Sequence, residues 1–139
     1  MCQTALISNS ITRLSTRSYR HRLEVVTPAP YRVSQLSRLN RDLNNLYEML
    51  YDQWHTVTEE DYKQFGGQFK LLLETLKGLY LSVKKLPKSM GLATEAENLE
   101  MNYSALYEIN SDIVNFCIKL PRNQRFMQAM AEASQRLNA

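Results

Sequence analysis

The sequence predicts an all-α protein: an antiparallel up-down-up-down four-helix bundle with an N-terminal basic arm. Three observations carry this. Apolar residues recur in alternating steps of three and four over long stretches, the mark of helices with one buried seam. Only four glycines and four prolines occur in 139 residues, too few for the turns of a β-sandwich or barrel. The joins between periodic stretches are short, which makes consecutive helices antiparallel neighbours. Hydrophobic residues at 44% and charged residues at 22% fit one globular domain that buries a core without disulfides or metal.

Residues 1–33 read as a Ser/Thr/Arg-rich arm. Arg13, Arg17, Arg20, Arg22 and Arg32 stand against Glu24 alone, so this segment carries +4 and residues 34–139 carry −1. A helix near its start would align Ile7, Ile11 and Leu14 on one stripe beside Arg13, Arg17 and Arg20. Thr27-Pro28-Ala29-Pro30 excludes helix and forms the linker to the bundle domain, residues 34–139. Three readings of the arm stay open. It is a mitochondrial-type targeting segment, a contact for nucleic acid or an anionic surface through Arg13, Arg17, Arg20 and Arg22, or a segment folded over the bundle.

The first bundle helix is expected from about Ser34 to Thr56. Leu36, Leu43, Leu50 and Val57 repeat at sevens, Leu39 and Leu46 fill the second seam position, and Tyr47 and Trp54 widen the face. Thr58 followed by Glu59, Glu60 and Asp61 reads as the capped start of the second helix. Its seam runs Phe65, Phe69, Leu72, Leu76, Leu79, Val83 and Leu86, and Pro87 stops it. Thr94-x-x-Glu97 is a capping-box pattern for the third helix, whose stripe is Ala96, Leu99, Tyr103, Leu106, Asn110, Ile113, Cys117 and Leu120. A shorter fourth helix, about Arg122 to Leu137, offers Phe126, Met130, Ala133 and Leu137 as its buried edge.

Little in this pattern points to catalysis. Glu48, Asp52 and His55 share one face, with Glu100, Glu108 and Asp112 on the third helix, but a carboxylate-bridged di-metal bundle needs Glu-x-x-His on two helices. Only one Asp-x-x-His is present, so no catalytic residue, metal ligand or cofactor is implied. Two histidines support no Ser-His-Asp or Cys-His group, and Cys117 falls on a core stripe as a free thiol. Gly66 and Gly67 break helix propensity inside the second helix, which marks close approach of a neighbouring segment, or a hinge. Asn110, the polar member of its seam, reads as a residue that sets helix register and partner choice.

The function expected is a non-catalytic interaction module: a small scaffold, adaptor or regulator binding another protein or itself. Extra apolar residues beside the seams, such as Met49, Met101, Ile109 and Phe116, motivate it. The alternatives are nucleic-acid or anionic-surface binding through the arm and, behind it, a metal- or small-ligand-binding bundle. No apolar run is long enough to span a membrane. Two cysteines at opposite ends of the chain fit a reducing, intracellular compartment.

Overall fold

The computed structural model describes residues 4–26, 33–118 and 130–137; the side chains of residues 16–26 and Met90 lie outside that description. Every described element is helical. Four long helices, α1 (Thr4–Val26), α2 (Val33–Gln53), α3 (Glu59–Lys84) and α4 (Ala93–Asp112), are joined or extended by short 3₁₀ and π segments. A further helix covers residues 130–137.

The seams of α2 and α3 form the centre. Leu36, Leu39, Leu43, Leu46 and Leu50 are buried, as are Phe65, Phe69, Leu72, Leu76, Leu79 and Val83. On α3 the predicted start is present in full: Asp61 N donates to Thr58 Oγ1 at 3.1 Å, and Thr58 N donates to Asp61 Oδ2 at 3.0 Å. After α3 the chain turns through Lys88–Met90, and Gly91 takes φ 69°, a left-handed conformation suited to glycine.

α4 begins differently from the expectation. Its cap is Leu92, without a side-chain hydrogen bond, and Thr94 lies inside the first turn. Burial of Leu92 in the core accounts for this, because it draws the chain into helix before Thr94 can cap. The α4 stripe also shifts: Ala96, Leu99, Leu106, Ile109 and Ile113 are buried, while Tyr103 and Asn110 are only partly so.

The amino-terminal segment departs furthest from an arm. Ile7, Ile11 and Leu14 are fully buried in the same core as α2, α3 and α4, and α1 packs on both α2 and α3. Burying three large aliphatic side chains contributes about 1.5–3 kcal/mol each. The exposed position of Arg13 leaves its charge in water. Residues 119–129, with Phe126, fall outside the described residues, whereas Met130, Ala133 and Leu137 are all exposed. The helix expected to close the bundle therefore lacks the expected buried edge over its described residues, and α1 supplies apolar contacts to the core instead.

Hydrogen bonds fix the relative directions. Thr4 Oγ1 donates to Asp61 Oδ1 at 2.7 Å and Ser15 Oγ to the Gln68 carbonyl at 3.4 Å, so α1 and α3 run parallel. Asn40 of α2 bonds Glu95 and Asn102 of α4, and Trp54, further along the chain, meets Cys117, so these two also run parallel. Tyr62 pairs with Asn110 and Lys84 with Glu100, making α3 and α4 antiparallel. The short α2 to α3 join predicts that these helices are packed neighbours; instead each packs chiefly on α1 and α4. The 3₁₀ turn Trp54–Thr56 and the extended, buried Val57 carry the chain across.

Candidate functional site

One end of the molecule gathers aromatic side chains at the surface. There α2 tightens into the 3₁₀ turn Trp54–Thr56, whose Thr56 Oγ1 donates to the Gln53 carbonyl at 2.7 Å. α4 meanwhile widens into a π-helix over Ile113–Ile118. The extra residue per π turn departs from the regular α stripe, so Phe116 and Cys117 both come against Trp54. The Cys117 thiol donates to the Trp54 carbonyl at 3.2 Å, and the Phe116 and Trp54 rings lie 6.3 Å apart between centroids. His55 meets the same indole edge-on at 6.0 Å, and Tyr47 and Tyr51 pair one turn back on α2 at 5.9 Å.

Phe116 is 57% exposed and Tyr51 61% exposed, while Trp54 is half-buried and holds the two segments together. Burial pushes the Cys117 thiol above its ordinary pKa, so it stays protonated and is a poor nucleophile.

Among the residues singled out from the sequence, Gly66 and Asn110 prove to be linked through Tyr62. Gly66 is buried, and a Cβ there would lie 2.6 Å from Tyr62 Cε1. The phenol ring lies over the bare glycine, and its hydroxyl donates to Asn110 Oδ1 at 2.7 Å. Burial raises the Tyr62 pKa, against an opposing effect of that hydrogen bond. Gly67 faces open space with nothing within 4 Å of a Cβ. Arg13 is exposed on α1, and the side chains of Arg17, Arg20 and Arg22 lie outside the described residues.

Two concave regions were not anticipated. Between α2 and α4, a polar groove of ≈ 370 Å³ is lined by Ser37, Asn40, Arg41, Asn44, Glu95, Asn98, Met101 and Asn102. Asn40 is buried there; its amide donates to the Glu95 carbonyl and carboxylate, both at 3.2 Å, and accepts from Asn102 at 3.0 Å. Its position directly after the seam residue Leu39 was the available signal. The second region, ≈ 450 Å³ between the end of α3 and the start of α4, has apolar walls from Val83, Leu86, Pro87, Leu92 and Ala96. Lys84, Lys88, Glu97 and Glu100 rim it, and Lys84 pairs with Glu100 at 3.7 Å.

Among the described residues no three His, Cys, Asp or Glu side chains come together as a metal site, and no helix is long and apolar enough to cross a membrane. Glu48, Asp52 and His55 are exposed. Comparison with protein-family models, curated proteins and solved structures finds no match to this chain.

Proposed function

We propose that the chain is a non-catalytic interaction module, an up-down-up-down bundle of α1 to α4 that presents an end surface to another protein or to a second copy. The observation that carries this reading is the exposed aromatic surface of Tyr51, Trp54 and Phe116, held by the meeting of the 3₁₀ turn and the π-helix. Large apolar side chains that remain in water beside a rigid half-buried indole match the composition of protein interfaces. Light scattering combined with affinity retention tests the reading. A self-associating chain, or one that retains a specific protein, supports it; a monodisperse monomer that retains none contradicts it.

A second reading is favoured by the exposure of Arg13 on a helix whose apolar stripe is buried. In this reading α1 offers its arginines to nucleic acid or another anionic surface. Binding should then weaken steeply with salt and fall when Arg13, Arg17, Arg20 and Arg22 are replaced by glutamine. Absence of binding at low salt ends it.

A further inference from the structure

We propose that the outer face shared by the carboxyl-terminal halves of α2 and α4 takes a cationic amphipathic segment of another protein. This rests on the reading of the chain as an interaction module and names the chemistry of its partner. The polar groove between α2 and α4 locates the face. Residues seven apart on a helix return to within about 20° of the same side. On α2 the groove residues Asn40, Arg41 and Asn44 are therefore followed, two turns on, by Tyr47, Glu48 and Tyr51. On α4 Met101 is followed by Glu108, and Asn98, after two such steps, by Asp112. Because the two helices run parallel, both continuations reach the same end, where Phe116 follows Asp112 by one turn and meets Trp54 at 6.3 Å.

Two independent features of this face call for the same partner. Its aromatic side chains remain in water, with Tyr51 and Phe116 more than half exposed beside the half-buried Trp54. The charge around them is of one sign. No lysine or arginine occurs between Asp42 and Tyr62 or between Ser89 and Ile118, in a chain whose net charge is +3. Glu48, Asp52 and Glu108 are exposed and Asp112 is half-buried. Arginine or lysine pairs with these carboxylates while its aliphatic stem and its charge both rest favourably on aromatic rings. Apolar residues of the same segment cover Phe116 and Trp54, as when an amphipathic helix lies in a groove between two helices.

Charge also selects against other occupants. A nucleic acid or an anionic lipid surface meets like charge here. A two-fold contact of the face with itself sets acids against acids. The chain's own cationic helix, α1, has Ile7, Ile11 and Leu14 buried in its core, so that apolar stripe is already taken.

Fluorescence anisotropy with the full chain tests the assignment, using a labelled synthetic amphipathic helix of leucine and arginine. Two comparison peptides replace every arginine by glutamate or every leucine by serine. The leucine–arginine peptide should bind about tenfold or more tighter than either, and its binding should weaken as salt rises. Glu48→Lys with Glu108→Lys should weaken it by about tenfold or more, with unchanged circular dichroism because both positions are exposed. Glu74→Lys with Glu97→Lys makes the same change of net charge away from the face and should leave binding within about twofold. No binding of the leucine–arginine peptide, or equal loss in the two charge variants, overturns the proposal. Self-association in sedimentation equilibrium that Glu48→Lys with Glu108→Lys abolishes also overturns it, since the occupant is then a second copy. A protein retained through Tyr51 and Phe116 regardless of the charge reversal refutes only the cationic partner, whereas neither retention nor self-association refutes the interaction module as well.

Discussion

The hydroxyl of Tyr62 reaches Asn110 Oδ1 at 2.7 Å across the α3 and α4 interface because Gly66, one turn along α3, leaves room for the ring. A phenol laid along its own helix is thus turned into a cross-helix donor. Removing only the oxygen, in Tyr62→Phe, leaves the partly buried Asn110 acceptor without this bond and should destabilise by about 1 kcal/mol. Urea denaturation measures it, and a double-mutant cycle with Asn110→Ala should return a coupling of about 0.5–1.5 kcal/mol.

The two adjacent glycines should respond oppositely to alanine. Gly67→Ala enters open space in a helix and should stabilise by about 0.5–1 kcal/mol. Gly66→Ala displaces the Tyr62 ring and sacrifices its hydrogen bond, which cancels or exceeds the same helical gain. In a Tyr62→Ala background the clash is gone, and Gly66→Ala should then stabilise by about as much as Gly67→Ala. Equal effects at both positions in the wild type would refute the link between ring and glycine.

Asp61 sets an acid limit on stability. Burial by itself would raise its pKa, but hydrogen bonds from the Thr58 backbone and from the Thr4 and Thr58 side chains outweigh it and hold the carboxyl below the ordinary aspartate value of 3.8. Because the folded value is depressed, the contribution is complete above 3.8 and disappears as pH falls through the folded value. Thr4→Ala should therefore narrow the difference in stability between neutral and acid solution. Asp61→Asn should remove this residue's contribution to the pH dependence, and unfolding midpoints across that window provide the check.

Ser8 is the buried polar side chain for which no hydrogen-bond partner is found among the described residues. Its hydroxyl has given up water without gaining a bond to another described residue. Ser8→Ala should be neutral or stabilise the fold by up to about 1 kcal/mol, a change readable from the denaturation midpoint.

The seams of α2 and α3 are legible because Leu36 to Val57 and Phe65 to Val83 keep helical periodicity against a clearly polar outer face. The role of α1 is less so. Its stripe of Ile7, Ile11 and Leu14 is short, and the surrounding serines and arginines dominate the composition, although exposed polar residues do not oppose burial of the opposite face. The π-helix at Ile113–Ile118 has no residue pattern distinct from α-helix, so the turning of Phe116 toward Trp54 was hidden. Gly66 and Asn110 each stood out as a local anomaly, but the residue joining them, Tyr62, looked like an ordinary aromatic at the helix start. Only the three-dimensional placement shows that one side chain explains both.

The most direct test of the interaction-module reading replaces Tyr51 and Phe116 together by serine, since both are exposed and neither supports the core. Affinity retention of partner proteins is compared between this variant and the wild type, with unfolding midpoints recorded in parallel. The account predicts an unfolding midpoint close to that of the wild type and loss of the retained protein. Retention that is unchanged by the double substitution would contradict the aromatic end as the binding surface, and no retention or self-association by either protein would contradict the module itself.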